Sequence, residues 1–243
     1  MAAPQAQASP AVPYTPVITD LLRLIRAPFA PRGVFEEQRD APTFWMPWIV
    51  LSVLFAVVMV FMIPVTIQGA RVVAASKGTP LPPAAVTLTT VLTLVGPAIG
   101  LLIGALIGAA VLYLILMVLG ASTRFKGLMT IQLFAATVTV IQTAVITVML
   151  RMRGLEAIQS PADAQQSLGL DLVLSPEYVQ AHRAIAALLR GIGPFEIWVV
   201  VLLGIGMIAL EKVPSRKAWT AAVVAFIVGL LIRSGSAIVF KAG

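Results

Sequence analysis

Residues 84–119 read AAVTLTTVLTLVGPAIGLLIGALIGAAVLYLILMVL, an apolar run of 36 residues without one charged side chain. A hydrocarbon core of about 30 Å takes about 20 residues of helix at about 1.5 Å each. The run is therefore too long for one span and too short for two with a turn between them. Gly96-Pro97 interrupts it, and such a pair is a turn signal. The reading places a span at about Pro97 to Leu119 and predicts that residues 84–95 lie along the membrane surface or re-enter it. Carried outward, the same ruler fits spans at about 46–67, 128–150, 195–210 and 218–240. Trp45 and Trp48 stand at the entrance to the first of them, where amphipathic rings suit the headgroup level. The expected fold class is all-α, an integral membrane bundle of five transmembrane helices with interfacial amphipathic helices.

Composition points the same way. Of 243 residues, 59% are hydrophobic and 11% charged, against about 45–50% and about 25% in soluble domains. With a mean hydropathy of +0.99, the chain lacks the polar side chains that would clothe a soluble domain. Soluble, nucleic-acid-binding and disordered classes are set aside together. The net charge of +7 is read as membrane orientation and lipid contact rather than nucleic-acid affinity. There is no Cys, hence no disulfide, thiol nucleophile or thiolate metal site.

Outside the spans, Met1 to Pro16 carries four prolines and no charge and is read as a disordered tail. From Val17 to Phe29 the apolar residues recur at three and four, with Asp20, Arg23 and Arg26 on the other side, the pattern of an interfacial helix. A polar stretch then leads to Trp45. The long loop 151–193 closes on a second amphipathic pattern, with Ser175 placed to cap and Pro176 at the first helical position. Tyr178, Ala181, Ile185, Leu188, Leu189 and Ile192 form its apolar face, and it is expected to rest on the membrane surface. Lys and Arg divide almost evenly between the two sides, so position decides. Arg124 with Lys126, and Lys212 with Arg216 and Lys217, sit in very short connections, which places those connections and the N-terminus inside and the C-terminus outside.

Three stretches resemble one family. Pro31-Arg-Gly-Val-Phe35-Glu-Glu, leading through Asp40 and Pro42 to Trp45 and Trp48, resembles the approach to the first span of Yip1-domain proteins. Tyr113 to Met129, with Leu119-Gly120 and Phe125-Lys126, is similar to that family's second short cytoplasmic turn. Phe195-Glu196-Ile197-Trp198 to Gly204-Ile205-Gly206, followed by Lys217-Ala218, resembles its fourth span and the start of its fifth. The resemblance covers Leu21 to Val239. It implies a five-span, non-enzymatic membrane protein with a cytoplasmic N-terminus. Eukaryotic members act in vesicle traffic with Rab GTPases and coat proteins, but their Asp-Leu-Tyr-Gly-Pro signature is absent here. The Ala-rich composition points to a bacterial cytoplasmic membrane.

The spans hold no catalytic constellation. Asp20, Asp40, Asp163 and Asp171 all lie outside them, no G-x-S-x-G or H-E-x-x-H occurs, and His182 is the single histidine. No catalytic residue, cofactor or metal site is expected. Three other patterns stand out. Gly96, Gly100, Gly104 and Gly108 repeat every four residues, answered by Ala221, Ala225 and Gly229 on the fifth span. Such small-residue stripes let backbones approach closely, and packing within the chain is expected over a seam between two copies. Gln132, Thr139, Gln142, Thr143 and Thr147 make a polar strip on the third span. Glu196 and Arg233 fall inside apolar runs, both about 24 Å from the turn that joins their spans, and are expected to pair. The function expected is a membrane adaptor or organiser acting through lipids or an unidentified membrane or cytoplasmic protein. A small-solute transporter using the polar strip is the alternative.

The lack of cysteine gives orientation a direct test. A single Cys at Ser215 is expected to be labelled only from inside and one at Ser167 only from outside; reversed labelling at both positions would overturn the orientation.

Overall fold

The computed structural model describes residues 16–160, 163, 168–175, 178 and 182–239, leaving some helix side chains, Arg233 among them, outside the description. Among the described residues there are eight α-helices and no strand: α1 Pro16–Arg26, α2 Pro31–Glu37, α3 Trp45–Ser76, α4 Pro83–Val118, α5 Phe125–Arg153, α6 Arg183–Arg190, α7 Pro194–Ala209 and α8 Ser215–Val239. Four helices, α3, α4, α5 and α8, are long and apolar enough to cross a membrane, and α7 is a shorter apolar helix of 16 residues. The expected tail lies outside the described residues apart from Pro16, which begins α1.

The break expected at Gly96-Pro97 is corrected: α4 runs unbroken through both residues for 36 residues. Likewise α3 continues past the expected end at Ile67 to Ser76, through Pro64. A proline removes one backbone donor, but in a membrane helix neighbouring groups can satisfy what it frees. Here the two helices are stitched beside their prolines. Trp48 Nε1 donates to the Ala98 carbonyl at 3.1 Å, and the Thr66 and Thr93 hydroxyls meet at 3.3 Å. At about 1.5 Å per residue α4 is roughly 54 Å long, so the α3–α4 hairpin exceeds the hydrocarbon thickness and must tilt or project beyond it.

Both helices end in the same way. Gly78 and Gly120 take φ of 69° and 65°. Thr79 N then donates to Ala74 O and Gly78 N to Ala75 O, as Ala121 N does to Leu116 O and Gly120 N to Met117 O. These are Schellman pairs, which satisfy the last carbonyls and need a left-handed residue that glycine supplies without strain.

The centre of the bundle is α5, which packs against α1, α3, α4 and α7. In its most apolar window 44% of residues are buried, against 17–22% in the other long helices. This explains why the least apolar of the first three spans carries the polar strip: its side chains face protein more than lipid. The main core joins Leu51 and Phe55 of α3, Leu112 and Leu116 of α4, Phe134 and Val138 of α5, and Leu202 and Met207 of α7.

One end is tied by charge. Glu211, in the α7–α8 turn, is almost wholly buried and accepts from Arg124 N at 2.8 Å and from Arg124 Nε at 3.1 Å at the start of α5. Arg124 also donates to Arg39 O at 2.9 Å, Arg39 donates to Ala209 O at 2.7 Å, and Lys217 Nζ donates to Gly120 O at 2.9 Å. A carboxylate above a helix N-terminus and an arginine at a helix C-terminus both complement the helix dipole. The α1–α2 segment lies across the bundle, with α1 on α3 and α5 and α2 on α7. Glu37 holds it together through Arg23 and Arg26, both at 3.2 Å. Leu24 of α1 and Ala27 just after it are buried while Ile18, Leu22, Ile25 and, in the following turn, Phe29 are exposed, leaving an apolar face suited to an interface.

Of the second amphipathic pattern, Tyr178 N donates to Ser175 Oγ at 3.2 Å, Tyr178 is helical, and α6 covers Arg183–Arg190; Pro176, Glu177, Gln180 and Ala181 lie outside the described residues. α6 packs against α8 and the short turn Leu170–Val173, where Arg190 pairs with Asp171 at 3.2 Å and Leu170 N donates to Ile192 O. Farther up the loop, the Ser160 hydroxyl and backbone hold the Asp163 carboxyl below the usual carboxylate range.

Two glycines should separate sharply on substitution. A Cβ at Gly127 would run into the Glu211 carboxylate, whereas a Cβ at Gly104 would meet nothing within 4 Å. Gly127→Ala is expected to lower stability by about 1–3 kcal/mol and Gly104→Ala to leave it unchanged or slightly raised, as measured by thermal unfolding in detergent.

Candidate functional site

A groove of about 770 Å³ opens between α4, α5, α7 and α8. Gly96, Gly100, Gly104 and Gly108 run along its α4 wall, with Ala225 and Gly229 on the α8 wall. The expectation that neighbouring spans close on the glycine stripe is corrected for the described residues. Among them, a Cβ at Gly96, Gly100, Gly104 or Gly229 would meet nothing within 4 Å, while one at Gly108 would meet the Gln132 side chain at 2.6 Å. The reason lies one residue along. Leu101, Ala105, Ala109, Leu112 and Leu116 are the buried residues of α4, so the helix packs with the face that has side chains to bury. Along α8, Ala221 is fully buried while Ala225 and Gly229 are half-buried, and the groove opens in that direction.

The polar strip does not form one lining. Thr143 and Thr147 donate to their own helix, to Thr139 O and Thr143 O, and Thr147 also lies 3.6 Å from Met62 Sδ. Threonines in membrane helices are commonly satisfied in this way. Gln132 lies across Gly108, Thr139 is exposed at the groove wall, and Gln142 turns to α7. A continuous water path, which the transport alternative requires, has no support in this arrangement.

Gln142 meets Glu196. Its Nε2 donates to Glu196 Oε1 at 2.9 Å, while Glu196 Oε2 is buried with no hydrogen-bond partner among the described residues. Glu196 stands in the first turn of α7, behind Gly193 as N-cap and Pro194, where the helix dipole favours a negative group. Gly193 leaves room for it: a Cβ there would sit 2.7 Å from Oε2. Of the expected Glu196–Arg233 pair, the Arg233 side chain lies outside the described residues. The partner in view is Gln142, so two patterns read separately in the sequence come together in space.

Other contacts have no counterpart in the sequence reading. Trp198 Nε1 donates to Pro28 O at 3.0 Å, and its ring meets Phe29 edge-on at 5.8 Å, fastening the α1–α2 segment to α7. Gly206 lets Phe35 and Ile131 approach to 3.1 Å and 2.7 Å of where a Cβ would be. Gly204, two residues earlier and on another side of α7, instead gives room to the Trp219 ring. No group of three or more His, Cys, Asp or Glu side chains converges among the described residues.

This architecture agrees with what the sequence matches. The Yip1 domain family matches residues 25–234, most of the chain, and the protein belongs to that family. No curated protein and no solved structure matches it.

The Gln142–Glu196 contact makes a two-step prediction. Gln142→Leu strips the carboxylate of its described donor and is expected to cost about 1–3 kcal/mol. Replacing both partners by apolar groups is expected to be nearly neutral, so Gln142→Leu with Glu196→Leu should regain most of the lost stability in detergent melts. A double variant at least as unstable as the single one would show that Glu196 depends on another partner, Arg233 being the first to test.

Proposed function

We propose that this Yip1-domain protein is a non-enzymatic organiser of a bacterial cytoplasmic membrane, acting through protein or lipid partners with its N-terminus inside. The glycine groove is the seat for a partner's transmembrane helix. One observation carries this reading: among the described residues, nothing covers Gly96, Gly100 and Gly104, which stand at one-turn intervals on α4. In lipid there is no hydrophobic drive to bring helices together, so association depends on close van der Waals packing and interhelical hydrogen bonds. Bare glycines offer the first. Gln132, on the α5 wall of the same groove, offers an amide for the second. The groove's polar side chains are Gln132 and Thr139, neither of which titrates near neutral pH, which favours binding over acid–base chemistry.

The test is site-specific photocross-linking in native membranes. A cross-linker at Ile107, which lines the groove and is 56% exposed, is expected to give a discrete adduct that Gly104→Leu abolishes. One at Leu114, equally exposed but outside the groove lining, is expected to give only lipid adducts. The same adducts at both positions, or an Ile107 adduct indifferent to Gly104→Leu, would overturn the proposal.

A further inference from the structure

A second groove, of about 470 Å³, lies between α3 and α5. Its walls are apolar: Val58 and Phe61 from α3, Ala144 and Val148 from α5. Both helices run away from the end tied by Glu211, and along α5 the lining climbs from Ala144 through Val148 to Arg151. That climb spans seven residues, about 10 Å of helix, and brings a guanidinium to the mouth of an otherwise apolar channel.

The charge at that mouth is available. Arg151 is exposed and forms no ion pair among the described residues, whereas its neighbour Arg153 is engaged by Asp163 at 3.6 Å. Thr147, the polar side chain between Val148 and the core, is buried and spends its hydroxyl on Thr143 O and Met62 Sδ. The channel therefore has one unsatisfied polar feature, and it is cationic.

We infer that the α3–α5 groove binds an anionic phospholipid, one acyl chain lying against Val58, Phe61, Ala144 and Val148 and the headgroup held by Arg151. The complement is geometric as well as electrostatic. A lipid chain runs along the membrane normal as the groove does, and its phosphate ends at the interface, where the last turn of α5 presents Arg151. An arginine fork suits phosphate oxygens better than a lysine point charge does. This inference deepens the lipid side of the function proposed above and rests on it, but it uses a different pair of helix faces from the glycine groove.

The experiment uses the full-length protein in mild detergent, titrated with dioleoyl phosphatidylglycerol or dioleoyl phosphatidylcholine. Retained lipid is counted by native mass spectrometry, and thermal stability is followed in parallel. One interfacial arginine is expected to favour the anionic lipid by about fivefold. That preference should vanish in Arg151→Gln and persist in Arg153→Gln. Ala144→Phe, which fills the channel, should reduce retention of both lipids. Equal retention of the two lipids by the unmodified protein, or an undiminished preference in a folded Arg151→Gln, would overturn the inference. Gly104→Leu separates the two proposals: a lost Ile107 adduct with lipid preference intact supports both sites as independent, and a lipid preference lost along with the adduct counts against the α3–α5 site.

Discussion

The arrangement turns on a carboxylate at the mouth of the central helix. Glu211 is nearly inaccessible, yet it sits in a turn between two apolar helices. Burial of such a group is costly unless it is paired and hydrogen-bonded. Here the Arg124 guanidinium and backbone N–H supply the pairing, and the missing side chain of Gly127 supplies the space. Because Arg124 also holds Arg39 O, and Arg39 holds the Ala209 carbonyl at the end of α7, the same small network fixes three chain segments at one level. Lys217 adds the end of α4 through Gly120 O. Hydrophobic burial is non-directional and cannot set helix heights in a bundle surrounded by lipid. These few charge-assisted bonds can.

Deeper in the bundle the same economy governs polar groups. Each side chain of the α5 strip that leaves the helix surface finds a different neighbour: Gln132 lies over Gly108, and Gln142 reaches Glu196. Thr143 and Thr147 fold back on carbonyls one turn earlier in α5. A helix that touches four others can dispose of polar atoms in several directions. A helix at the periphery would have to turn them to lipid. The polar content of α5 is thus a consequence of its central place.

Much of this was legible in the sequence. Apolar run length located the long helices because the bilayer fixes a length scale, and the amphipathic pattern around Leu21 and Leu22 marked α1. Helix continuity through Gly96-Pro97 was not legible. The turn signal of that dipeptide is local, whereas the contacts that sustain the helix, Trp48 to Ala98 and Thr66 to Thr93, come from a helix some thirty to fifty residues away. The Glu211–Arg124 tie was hidden for the same reason, the two residues being 87 apart in the chain. The glycine stripe was visible, but a stripe shows only where close approach is allowed. Whether a neighbour takes the opportunity depends on which face of α4 wins the competition for burial.

That competition explains how one helix can both build the bundle and offer a seat. Steps of four residues advance around a helix by about 40°, so two series offset by one residue climb side by side about 100° apart. On α4 one series, Leu101, Ala105 and Ala109, has side chains and is buried, while the other, Gly100, Gly104 and Gly108, has none and lines the groove. Burying the first series brings van der Waals contacts to every methyl group it carries. Burying the second would bring few, and among the described residues nothing competes for it from Gly96 to Gly104. The stripe keeps its capacity for close backbone contact, and the partner helix proposed above would use that contact without displacing any described side chain on which the fold depends.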